Sequence, residues 1–314
     1  MAFYSPDPAM VEHLDALVRA LEQDGRPGLA DQLSVTWLRY SRGSAPIGAG
    51  ADLDSPAFWA LPLAGAGWNG GRCRYPASVV KLVYLVAAEA WLQADWLPPS
   101  PDLSQALAEM IRDSSNDATG LVVDLLTGTT SGPRLPAGAM ALWHGQRQLV
   151  NRWLQGLNWP ELDGWNACQK TWGDGPQGRD RESYGAAREN VNRLSTDGVA
   201  RLLHAVIGSA IVSPPACGRM RGLLARSLDP AERAADPENQ VDGFIGEALG
   251  EGARLWSKAG WMSQARHDAA YVELPSQEGV DAHLLVVFSE GAHCAGDQQL
   301  LPELARRLLD HRAG

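Results

Sequence analysis

Apolar residues recur at helical spacing over residues 8–23, where Met10, Leu14, Leu17, Val18 and Leu21 fall on one face. "LSVTWLRYS" (33–41) alternates instead and predicts a strand. The Gly-, Ser- and Pro-rich stretch 41–57 predicts a loop, and "FWALPLAG" (58–65) a second strand that Pro62 would confine to a sheet edge. Residues 78–94 are apolar for four turns and predict a buried helix. Helices are also predicted over 102–113 and 118–126, separated by "SSND", and over 139–157 and 194–208, the last capped by Ser195 or Thr196. Between them, 127–138 reads as a linker and 160–192 as a long polar loop, a length that usually carries function. After residue 250 the texture changes to three strands, 253–262, 266–275 and 281–290, and an amphipathic helix over 298–311. Strands at both ends and helices between them predict an α+β fold. An antiparallel sheet would be built from residues 1–77 and 205–314, with an all-helical domain (78–204) inserted.

One residue breaks this pattern. Lys81 lies inside the apolar helix, near its start, where both burial and the helix dipole disfavour a cation. Ser78 lies three residues earlier, on the same helix face and in the first turn. A serine hydroxyl becomes a nucleophile when a base takes its proton, and a desolvated lysine has the lowered pKa to serve. The plainer reading is an N-cap serine and a lysine whose head reaches the surface. A second candidate is "DSSND", where a turn can aim the Ser114 hydroxyl and the Asn116 amide into one cleft, or simply cap a helix. The hydroxyl would relay a proton and the amide hold a carbonyl. The third is "WSKAGW": Lys258 offers charge to a substrate carboxylate, Ala259 and Gly260 let another backbone approach, and the Trp261 N–H with that of Ser78 forms an oxyanion hole. An edge lysine that discourages strand pairing is the alternative.

Together, in the order Ser-x-x-Lys, Ser-x-Asn, Lys-x-Gly, these motifs resemble the penicillin-recognising serine hydrolases, specifically their class A β-lactamase-like branch. The resemblance covers about residues 33–312, through "RYPASVVKLVYLVAAE", "IRDSSNDATGLVVDLL", "NRLSTDGVARLL" and "LWSKAGWMSQARHDAAYVEL". It implies five antiparallel strands flanked by helices, an all-helical domain, and a site between the two. It also implies roles: Ser78 as nucleophile, Lys81 as its activator, Ser114 as proton shuttle, Asn116 as substrate and lysine contact, and Lys258 as carboxylate contact. Glu161, in "WPELDGWN" with Asn166, resembles the glutamate that activates the deacylating water; Glu182 and Glu189 compete for that role. Arg266 occupies a place where the family often binds a carboxylate. Two departures are visible: Ala259 where Thr or Ser is usual, and Ser115 where Asp is frequent.

The implied activity is acyl-enzyme hydrolysis of a β-lactam or related amide or ester. A D-amino-acid peptidase or esterase using the same nucleophile, and a non-catalytic sensor that keeps the cleft, are the alternatives. Composition narrows the partners. Charged residues make up 20% of the chain and apolar ones 45%, which fits a folded globule. A net charge of -10 argues against nucleic-acid or anionic-membrane partners and leaves a small-molecule substrate of a monomer. Neither a metal nor a cofactor is expected: Cys73, Cys168, Cys217 and Cys294 are far apart, with no zinc spacing. The N-terminal residues lack a basic segment followed by an apolar run, so a cytoplasmic location is expected, against the family habit of working outside it. Trp143, Trp153, Trp159, Trp165 and Trp172 crowd one region, as core packing or as an aromatic cleft.

Overall fold

In the computed structural model, described over residues 3–41, 47, 55–277 and 279–310, alternation and burial meet in one sheet. Its strands are β1 (Ser5–Pro6), β2 (Leu33–Arg39), β3 (Ala64–Trp68), β4 (Ala225–Arg226), β5 (Arg254–Met262), β6 (Ala265–Ser276) and β7 (Gly279–Glu290). They lie in the order β1-β3-β2-β7-β6-β5-β4. The expected five-stranded antiparallel sheet is thus corrected to seven strands, and it is mixed, because β1 pairs with β3 in parallel. The two additional strands are two residues long, too short to leave a period in the sequence.

The second strand also shifts. Ser55–Trp59 is helical, and pairing begins at Ala64, beyond Pro62, so β3 lies between β1 and β2 and not at the edge. Most of the loop expected over 41–57 lies outside the described residues.

Both faces of the sheet are covered, which is why β6 is buried from Ala265 to Glu273 with no alternation. On one face pack the helices Pro8–Gln23 and Leu300–Leu309, through Leu14, Leu17, Val18, Leu301 and Leu304. On the other lies the larger core around Val80–Gln93, with Thr196–Ile207 laid against β2, β6 and β7. That helix runs across the boundary placed at 204/205. Val80–Gln93 is buried on nearly every side, as its composition predicts, and Lys81 is buried with it. The helix expected over 139–157 is broken at Gln148 into Ala137–Arg147 and Leu149–Gly156. The polar stretch 160–192 is held by internal structure: a 3-10 turn at Pro160–Leu162, a helix at Gly178–Tyr184, and an amide network in which Asn166 donates to Asn190 and Asn192 to the Gln169 carbonyl. No described helix is long and apolar enough to cross a membrane.

Candidate active site

Ser78 sits in a short 3-10 turn, Ala77–Val79, that leads into the Val80–Gln93 helix. The approach to it is fixed from two sides. The Tyr75 N–H donates to Glu290 at 3.3 Å, and the Tyr75 carbonyl accepts from His267 Nε2 at 2.9 Å. Nδ1 of the same ring accepts the Ser289 N–H, which places the ring proton on Nε2. Burial lowers the His267 pKa to about 4, so the ring stays neutral. Ala77 is held at φ +45°, a conformation that costs a non-glycine residue of order 1 kcal/mol and needs surroundings that enforce it. Gly260 explains how β5 comes so near: a Cβ there would lie 2.9 Å from the Ser78 nitrogen.

That closeness bears on the backbone donors. The Ala259 N–H leaves the β5–β6 ladder and donates to Gln240 Oε1 at 3.3 Å. Residues two apart on a strand send their N–H groups to the same edge, so the Trp261 N–H faces the same open edge of β5. The Ser78 and Trp261 amides therefore belong to neighbouring backbone segments.

The two lysines converge on one hydroxyl. Lys81 Nζ lies 3.1 Å from Ser114 Oγ and 3.0 Å from Asn116 Oδ1, and it also donates to the Ser114 carbonyl. Lys258 Nζ lies 3.0 Å from the same Oγ and 2.7 Å from the Ala259 carbonyl, and it donates to Gln240 Oε1. Ser114 can do this because it stands at φ +55° between the helices Pro101–Arg112 and Asn116–Thr127. Ser115, one of the two departures, caps the second helix by accepting the Ala118 N–H at 3.1 Å. Among the described residues, the hydrogen-bond partners of the two ammonium groups are all neutral oxygens. Burial alone brings the Lys81 pKa down to about 7. Burial first, then the charges of Arg226 and Lys81, puts that of Lys258 well below the usual lysine range. With both ammonium groups donating to Ser114 Oγ, the hydroxyl proton is directed elsewhere.

Other expected residues are placed away from this cluster. The Glu161 carboxylate is paired with Arg201 at 2.5 Å, and the guanidinium of that arginine lies 4.6 Å from the Trp159 ring and 5.0 Å from that of Trp59. Glu182 is exposed, 4.0 Å from Arg134, and Glu189 is exposed and accepts the Ala187 N–H. Arg266 is buried between the rings of Phe244 and Trp261, and its guanidinium donates to the Ala295 and Gly243 carbonyls. Ala259 turns its methyl into the core, on the face opposite Lys258, so the hydroxyl of a Thr or Ser there would enter the core beside Asp268.

The tryptophans divide. Trp143 and Trp153 pack against Arg147 and Trp91. Trp159 and Trp165 line a cleft of about 380 Å³ with Asn151. Trp172 lines a second cleft of about 450 Å³ with Tyr75, Tyr184, Arg188, Met262 and Glu290. All four cysteines are free thiols.

Residues that no motif marks complete the arrangement. Gln240 bridges two elements: its Oε1 accepts from Lys258, while its Nε2 donates to the Ile111 and Arg112 carbonyls at 3.1 and 2.6 Å. Arg226 donates to Ser257, Ile111 and Arg112 carbonyls and clamps β5 to the end of the Pro101–Arg112 helix. Asp268 is buried; its Oδ2 accepts the Ile245 N–H at 3.1 Å, its Oδ1 has no partner among the described residues, and burial raises its pKa to about 7. A carbonyl-lined arginine and a lone glutamine give no signal in a single sequence, and only their neighbours across the fold make them legible.

The family model described as the Beta-lactamase enzyme family matches residues 92–312, a span that includes Ser114, Asn116 and Lys258 and begins after Lys81. No curated protein matches the chain. Among solved structures, PBP-A is 16% identical with a TM-score of 0.61, covering 97% of this chain and 96% of that one. A β-lactamase from Sphaerobacter thermophilus DSM 20745 is 18% identical with a TM-score of 0.60, covering 95% and 96%. A single-site mutant of PBP-A, solved as an acyl-enzyme complex with penicillin G, is 15% identical with a TM-score of 0.62, covering 97% and 96%.

Proposed function

This chain belongs to the β-lactamase enzyme family and is a β-lactamase-like hydrolase, and from that premise we propose that it acylates Ser78 with a β-lactam or related amide or ester. The observation that carries the proposal is the convergence of Lys81 and Lys258 on the Ser114 hydroxyl, beside the Ser78 turn. Neutral Lys81, a large fraction of the population near pH 7, takes the Ser78 proton as Oγ attacks the substrate carbonyl. The Ser78 and Trp261 N–H groups receive the developing oxyanion. On collapse, the carbon–nitrogen bond breaks and the Ser114 hydroxyl delivers a proton to the leaving nitrogen, regaining one from Lys81. Asn116 holds the acyl side, and Lys258 faces a carboxylate on the substrate. Arg266 supports the wall that carries Trp261.

Release of the acyl group is the slow step in this proposal. Glu161 is committed to Arg201, and Lys81 is bonded to Ser114 and Asn116, not to a carboxylate. That favours a second reading, a peptidase- or esterase-like enzyme that β-lactams inhibit by lingering as acyl groups. Intact mass after mixing with benzylpenicillin tests both. An adduct on Ser78 persisting for minutes is expected; an adduct that disappears within seconds, with turnover of a chromogenic cephalosporin, would make the protein a working β-lactamase. No adduct would reject Ser78 chemistry on β-lactams and leave a sensor role.

A further inference from the structure

Lys258 is buried among charges that do not balance it. Lys81 approaches through the shared Ser114 hydroxyl, and Arg226 packs behind it, held by carbonyls. The carboxylate acting on it from β6, Asp268, gives its Oδ2 to the Ile245 N–H, and its pKa of about 7 leaves it part-protonated near neutrality. Against Lys258 itself stands the Gln240 amide, a neutral acceptor whose other end is fixed to the Ile111 and Arg112 carbonyls. A carboxylate in place of that amide would close an ion pair with Lys258 inside the protein. It would also repel the two carbonyls at the negative end of the Pro101–Arg112 helix.

We infer that Gln240 sets the protein's selectivity for anionic substrates: it positions Lys258 without neutralising it, so the countercharge must come from the substrate's own carboxylate. Gln240 touches no substrate; it acts through Lys258. The inference rests on the reading of Ser78 as the acylated residue. It predicts that benzylpenicillin, with its carboxylate, acylates Ser78 faster than its methyl ester, by roughly 10- to 100-fold, the worth of a hydrogen bond to a charged group.

The test is that rate ratio in three proteins. In Gln240→Glu the internal carboxylate competes with the substrate's, and the ratio falls at least about tenfold. In Gln240→Met, similar in length but uncharged, both rates drop and the acid preference remains. A ratio in Gln240→Glu within twofold of the wild type, or an equal narrowing in Gln240→Met, overturns the inference. Gln240→Asp replaces Gln240→Glu if the latter fails to fold. Should the wild type form no adduct with either compound, the Ser78 reading fails by itself. The inference is then decided by ¹³C NMR of the Lys258 side chain: phenylacetate must raise its titration midpoint in the wild type and not in Gln240→Glu, and an equal response in both overturns it.

Discussion

Two of the regions in which this protein buries charge treat it in opposite ways. Beneath the 160–192 stretch, Arg147 is fully buried and paired with Asp180 at 2.9 Å, while Lys170 is paired with Asp124 at 2.6 Å. Around Ser114, Lys81 and Lys258 are as deeply buried but, among the described residues, hydrogen-bond only to neutral oxygens. The first arrangement sets each cation against a carboxylate and fastens one segment to another. At Lys81 the second lowers the cost of losing a proton, which is what a base requires. In the sequence Lys81 stands out inside an apolar helix, whereas Arg147 and Lys170 lie in polar stretches that give no sign of their burial.

The contrast can be broken most directly at the nucleophile: Ser78→Ala should abolish the penicillin adduct altogether, read by intact mass. Lys81→Met should slow acylation by about 10²–10⁴-fold, the usual worth of a positioned base. Its melting temperature should hold or rise, since an unpaired buried cation is removed. Asp180→Asn should do the reverse, leaving the buried Arg147 only its longer 3.4 Å contact with Asp124, at a cost of up to about 3–5 kcal/mol in denaturant unfolding.

Titration sharpens the same difference. Acylation should fall about tenfold per pH unit below about 7, as Lys81 becomes protonated. Its lowered folded-state pKa has a thermodynamic counterpart. Between about 7 and the ordinary value of 10.5, the unfolded chain binds more protons, so stability rises with pH there, and the cost is fully present below 7. Lys81→Met should flatten that rise in a series of urea unfolding curves. The smallest effect is expected at the sheet. Ala259→Ser places a hydroxyl beside Asp268 Oδ1, which has no partner among the described residues, and should stabilise by about 1 kcal/mol, seen as a higher melting temperature.

What the sequence makes legible follows from how far each signal travels. The long strands announce themselves by composition, and Val80–Gln93 by four apolar turns with one lysine. Ser78, Lys81, Ser114, Asn116 and Lys258 stand out because each sits in a short motif whose spacing reflects local geometry. The fate of Glu161 is not legible. A carboxylate takes the cation that reaches it, and Arg201 is forty residues away in sequence but adjacent in space. Gln240 is equally silent, since its meaning lies in two carbonyls on a helix 128 and 129 residues earlier. Ala259 reads in sequence as a missing substrate donor, whereas the alternation of β5 turns that side chain into the core.

The sheet has one more consequence. Its middle joins Leu33–Arg39 to the far end of the chain through β7, and the wall bearing Lys258 closes only when β5, β6 and β7 are laid in sequence. Contacts of such long range form late and slowly. A ribosome-bound chain that has not yet extruded residues 279–290 would therefore carry Ser78 and Lys81 without a finished place to use them. Covalent labelling by a fluorescent penicillin would then report completed folding of the whole protein.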